Sequence, residues 1–200
     1  MSGQSAFTAL APGLGDPSHD AQRLFRAILD ATSRPGRIVP LPGSPAGPGA
    51  LCPATTAWLL TLTDRDTPVW LDAPFDRPQV RDFLRFHTGA PTVASRPEAA
   101  FGVVSSGSAD PLDGFAVGTD PYPDRSASLV IEVPSLRGGS PTIWRGPGID
   151  GAATVAIDGL APAFWTYWQA NHGLFPCGID LVFAAGTEIC ALPRSIAVEA

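Results

Sequence analysis

The chain is 200 residues long, 44% hydrophobic and only 16% charged, against about 25% charged in an ordinary soluble domain; it holds one domain's worth of core and leaves weakly polar surface for partners. A net charge of −6 argues against binding nucleic acid or an anionic membrane, because neutralising phosphates needs clustered cations. All thirteen basic residues are arginine, so neither a lysine Schiff base to pyridoxal phosphate nor a P-loop lysine on a nucleotide phosphate is available.

Met1 to Gly15 lacks both a basic n-region and a long apolar stretch, so no signal peptide is expected, and residues 1–17 are expected to be loosely ordered. Apolar residues Ala21, Leu24, Phe25, Ile28 and Leu29 recur at helical spacing and predict a helix over Ser18–Thr32, capped by Asp16 or Ser18 and stopped by Pro35-Gly36. An extended piece at Arg37–Leu41 leads into a Pro/Gly loop at Pro42–Gly49. Pro53–Thr63 is apolar nearly all round and reads as a buried helix, and Thr67–Leu71 as a buried strand. Asp76 is the expected cap of a third helix that runs to Thr88 and ends at Gly89.

The second half is richer in strands, at Ala100–Val104, Ser128–Val133, Thr142–Arg145, Thr154–Ile157, Ile179–Ala184 and Glu188–Leu192. Gly138-Gly139 and Gly186-Thr187 read as hairpin turns, which implies antiparallel pairing and so a mixed sheet. Leu160–His172 predicts a fourth helix. The expected fold is a single α/β domain over 1–200, a mixed sheet with helices on both faces. No apolar run approaches the roughly 20 residues of a spanning helix, so the protein is expected to be soluble and cytoplasmic.

Chemistry is sparse. His19, His87 and His172 show no metal-ligand spacing, and no metal is expected. Cys52, Cys177 and Cys190 form no CxxC pair and read as buried reduced thiols. Ser105-Ser106-Gly107-Ser108 is a loop and not a nucleophile elbow; Asp64-Arg65-Asp66 and Gly146-Pro147-Gly148-Ile149 read as turns. The segment Arg85-Phe86-His87-Thr88 gathers a guanidinium, an imidazole and a hydroxyl at one helix end, where Arg85 has the geometry for a phosphate or carboxylate. Asp180 and Arg194, opposite charges in Gly/Pro-bounded segments, form a second candidate pair. No catalytic residue emerges, and a self-sufficient α/β hydrolase or transferase is the competing reading.

Several segments together carry a resemblance. They are Phe25-Arg26 with Ser33-Arg34-Pro35-Gly36, Ala54-Thr55-Thr56 with Leu59-Leu60-Thr61-Leu62, Asp66–Leu71, Leu84–Pro91, Gly146–Ile149, Phe175–Leu181 and Ala191–Arg194. In this order, the chain resembles the PhnH family, the H subunit of the bacterial carbon–phosphorus lyase core complex. The resemblance implies a three-layer α/β/α sandwich similar to pyridoxal-phosphate-dependent transferases but without the cofactor, which agrees with the missing lysine. It further implies a homodimer in isolation and assembly with the G, I and J subunits (PhnG, PhnI and PhnJ). With PhnL functionally associated, the complex moves ribose triphosphate from ATP to an alkylphosphonate, giving an α-D-ribose 1-alkylphosphonate 5-triphosphate. The family supplies no catalytic residue to carry over, so Arg85, His87, Thr88, Asp180 and Arg194 stand as ligand or interface candidates only.

Overall fold

The structure is a computed structural model describing residues 10–108 and 112–200. Of the N-terminal stretch 1–17, residues 1–9 lie outside the described residues, and the chain from Leu10 onward leads into helix α1 (Pro17–Ser33). Pro17 occupies the first helical position, where its missing N–H costs nothing, and the Asp16 side chain accepts the His19 N–H at 3.1 Å. Leu24, Ile28 and Ala31 form the buried stripe. Phe25 and Leu29 do not join it: they are 49% and 55% exposed, because the apolar arc of the sequence is wider than the strip that meets the core.

Strand β1 (Ile38–Pro40) precedes α2 (Pro53–Leu62), which is buried over Ala54–Leu59 as its all-round apolarity predicts. Then come β2 (Val69–Leu71), α3 (Pro78–His87), β3 (Thr92–Val93) and β4 (Phe101–Ser105). The cap of α3 is Arg77, which makes no side-chain capping bond, and not Asp76, whose carboxylate pairs with Arg81. A hairpin of β5 (Val117–Thr119) and β6 (Tyr122–Ser126) follows, then β7 (Ser128–Glu132), β8 (Thr142–Arg145) and β9 (Ala153–Val155). The chain closes with α4 (Ala163–His172), β10 (Asp180–Ala185), β11 (Glu188–Leu192) and β12 (Ala197–Glu199).

A seven-stranded sheet runs in the order β1-β11-β10-β7-β4-β2-β3. Strands β10, β7, β4, β2 and β3 are parallel, while β11 pairs antiparallel with both β10 and β1, so the sheet is mixed. Gly186-Thr187 closes the β10–β11 hairpin between Ala185 and Glu188 as the turn signal predicts. Gly138-Gly139 makes no hairpin. The strands on either side of it, β7 and β8, belong to different sheets, and a Cβ at Gly139 would lie 2.0 Å from the Ile157 carbonyl oxygen. Glycine there serves a close approach of two backbones.

Side chains alternate along the central strands and build two cores. Val103, Val130 and Val182 face α1, α2 and α3. Val104, Leu129, Ile131, Leu181 and Phe183 face the other way, onto Phe164, Trp165 and Trp168 of α4 and onto Trp144, Val155 and Val198 of a three-stranded sheet, β12-β8-β9. Helices therefore cover both faces, but on the second face α4 shares the layer with a small sheet whose assembly the strand pattern does not reveal. The two edges of the large sheet are short: β1 ends in Pro40, and β3 has two residues.

Candidate functional site

The open, carboxyl-terminal ends of parallel strands are where α/β sheets usually place ligands. Two carboxylates stand there, and both hold backbone. Asp72, just past β2, accepts the Ala73 and Ser105 N–H groups at 2.8 and 3.0 Å. Glu132, ending β7, accepts the Cys52 N–H at 2.8 Å and anchors the start of α2. Cys52 beside it is no nucleophile near neutral pH: burial, and secondarily the Glu132 charge, push its thiol up to about 11. Burial alone raises Cys190 to about 12. All three cysteines are free thiols.

The candidates at the end of α3 divide by role. Arg85 is 80% exposed and pairs with Asp82 at 3.2 Å. The His87 ring is fixed: Nε2 donates to the Ala11 carbonyl at 3.1 Å, and the ring packs against Phe83 and Phe86. A Cβ at Gly13 would sit 2.6 Å from its Nδ1, so the segment before α1 crosses directly over the imidazole. The Thr88 hydroxyl donates to the Leu84 carbonyl at 2.8 Å and accepts the Ala90 N–H at 3.1 Å, finishing the helix. His87 and Thr88 are thus occupied in holding chain, while Arg85 borders an open cleft of about 1000 Å³ together with Phe86, Gln79, Leu10 and the Gly47–Gly49 loop.

Asp180 and Arg194 meet, far along the sequence from one another. The guanidinium Nε contacts both Asp180 oxygens at 3.1 and 3.2 Å, and Nη2 reaches Oδ2 at 2.5 Å. Its remaining N–H groups go to the Pro123 carbonyl at 2.8 Å, the Pro176 carbonyl at 3.4 Å and the Ser126 hydroxyl. The Arg194 backbone N–H also donates to Asp180, and His172 sits on the Arg194 carbonyl at 2.9 Å. Every guanidinium donor is engaged within the chain, and the Arg194 side chain is only 14% exposed. This pair ties the β5–β6 hairpin, the loop before β10 and the segment after β11 into one corner; its polar partners on β6 were invisible in the sequence because YPDRS carries no strand pattern. Asp180 also lines a smaller cleft of about 210 Å³ between α1 and α2.

The fold does not bring the two candidate groups together, since Arg85 and Asp180 open on different clefts. The turns read from sequence take their expected places. Asp64 accepts the Asp66 N–H at 2.9 Å, Ser108 closes on the Ser105 carbonyl, and Gly146–Ile149 links β8 to β9. Among the described residues no group of three or more His, Cys, Asp or Glu side chains is placed to hold a metal ion.

Against known proteins, a family model described as a bacterial phosphonate metabolism protein, PhnH, matches residues 12–199. The chain is 43% identical over 185 residues, 92% of each chain, to a protein of Rhizobium meliloti (strain 1021) named alpha-D-ribose 1-methylphosphonate 5-triphosphate synthase subunit PhnH. It is 29% identical over 175 residues, 87% of this chain and 83% of the relative, to HtxG of Stutzerimonas stutzeri, named provisionally as a C-P lyase subunit protein.

Proposed function

The chain belongs to the PhnH family of bacterial phosphonate metabolism proteins, and on that premise we propose that it is the H subunit of a carbon–phosphorus lyase system, acting in the assembly that forms α-D-ribose 1-methylphosphonate 5-triphosphate from ATP and an alkylphosphonate. The observation that carries this reading is the match to the Rhizobium subunit over 92% of both chains, together with a family-model match over residues 12–199. Its partners in this reading are PhnG, PhnI and PhnJ, with PhnL functionally associated; alone it is a cytoplasmic homodimer, folded as one domain. ATP and alkylphosphonate are substrates of the whole assembly. The isolated chain is catalytically silent and carries no cofactor, a reading supported by the raised Cys52 and Cys190 thiols and the absent lysine. A mixed sheet covered on both faces supports the likeness to pyridoxal-phosphate-dependent transferases stripped of the cofactor.

The test is reconstitution. Product formation from ATP and methylphosphonate is measured with PhnG, PhnI and PhnL, with and without this chain. Product only in its presence is expected; equal yield without it, or turnover by the chain alone, overturns the proposal.

A second contribution rests on the larger cleft. Arg85 is the candidate cation that borders it, largely exposed, and Phe86 beside it offers an exposed ring, a pairing suited to an anionic ligand with a planar part. Calorimetric titration of the assembled complex with ATP and with methylphosphonate, comparing the unmodified chain with Arg85→Ala, checks it. Weaker binding in the variant is expected; identical isotherms remove it.

A further inference from the structure

The smaller cleft lies between α1 and α2. Asp180 and Ser128, register partners at the start of the parallel strands β10 and β7, form its polar floor. Ile28 and Thr32 of α1 and Trp58 and Leu62 of α2 form its walls. At 100° per residue, Phe25 and Leu29 fall on the same flank of α1 as Thr32, turned further outward, so an exposed apolar rim continues the wall for two turns. This rim comprises the two residues whose apolar spacing suggested burial and which the chain's own core leaves uncovered.

The chemistry of the cleft selects its occupant. About 210 Å³ accommodates one large side chain, and the walls are apolar. The Asp180 carboxylate at the floor is already matched in charge by Arg194 behind it, with the Asp180 side chain still 37% exposed. An ammonium would therefore gain little there, whereas a neutral hydroxyl or indole N–H keeps an acceptor without adding an unmatched charge. The rim is a helix surface two turns long, a shape that excludes water around a protein anchor. Building on the reading of this chain as a subunit, we propose that the α1–α2 groove seats a tyrosine or tryptophan of a partner subunit. The ring lies between α1 and α2, its donor is directed at Asp180 or Ser128, and Phe25 and Leu29 close over it.

The experiment uses the full-length chain and co-expressed PhnG, PhnI and PhnJ, with affinity for the purified three-subunit complex as the readout. Thr32→Trp plugs the groove from an exposed helix position, and the double variant Phe25→Asp/Leu29→Asp charges the rim. Leu174→Asp, an equally exposed site in the α4–β10 connection, is the control. Circular dichroism melts and size-exclusion profiles verify that each variant folds. Expected is at least a tenfold loss of affinity for the plugged and the charged variants, with the control unchanged. Unchanged affinity in Thr32→Trp overturns the proposal, as does an equal loss in all three variants. A charged rim that converts the isolated dimer to monomer while leaving assembly intact assigns the face to a second copy and also overturns it. Failure of the unmodified chain to assemble at all instead takes down the subunit reading on which the proposal rests.

Discussion

Arg194 shows what a single planar cation does that a flexible one does not. Its fork reaches Asp180, two backbone carbonyls and the Ser126 hydroxyl at once, four acceptor groups in two stretches of chain that it joins to its own, a third. A lysine offers a point charge and reaches one or two of these. Arg194→Lys is therefore expected to cost about 2–3 kcal/mol, within the range for losing charge-assisted hydrogen bonds from a partly buried pair, and Arg194→Ala at least as much. Urea unfolding midpoints check this, and equality with the unmodified chain refutes it. The thiols make a second prediction at this scale. Cys52 and Cys190 keep their protons up to about 11 and about 12, whereas in the unfolded chain they ionise near 9.0. Above that lower value the unfolded state binds fewer protons than the folded one, so stability falls as pH rises from 9 toward 11. Unfolding midpoints at pH 8 and pH 10 should differ accordingly, and Cys52→Ser should flatten the slope. The sequence named Asp180 and Arg194 but not their union with Pro123 and Ser126, because a bond across 71 residues leaves no local trace.

At the scale of elements, proline decides where helices begin. Pro17, Pro53 and Pro78 each occupy the first turn, so the residue before each becomes the cap: Asp16, Cys52 and Arg77. Choosing Asp76 for α3 followed residue type and overlooked this placement. The consequence is an α3 whose first N–H groups lack a side-chain acceptor. Arg77→Ser is expected to stabilise the protein by about 1 kcal/mol, a rise in melting temperature of about 2–4 °C, measurable by calorimetry; no rise would refute the capping argument. Other elements were legible in proportion to their periodicity. α1, α2, β7 and β8 lie within a residue of their predicted bounds, since burial on one or all sides writes itself into the spacing. β3, β5, β6 and β12 were missed: each is short or polar and is a strand only because a distant partner pairs with it.

For the whole molecule, the central sheet is shared property. Alternate residues of β7 and β10 belong to opposite cores, so neither core survives loss of the strands it borrows. Unfolding is accordingly expected as one transition, with tryptophan fluorescence, dominated on one face by Trp144, Trp165 and Trp168, coinciding with far-ultraviolet dichroism of α1–α3 on the other. Separated midpoints would refute it. The mixed α/β class was readable from turn chemistry and strand spacing, but the small sheet beside α4 was not, because β8 and β9 look like any other buried strands until β12 closes against them. The borders of the large sheet finally restrict how this molecule joins others. A margin three residues long that terminates in proline, and an opposite margin of two residues, offer almost no ladder for a foreign backbone to extend. At this sheet, neighbours are therefore expected to meet side chains on its flanks and not its backbone, which makes such a union specific to surface shape and resistant to the indiscriminate stacking that open sheets invite.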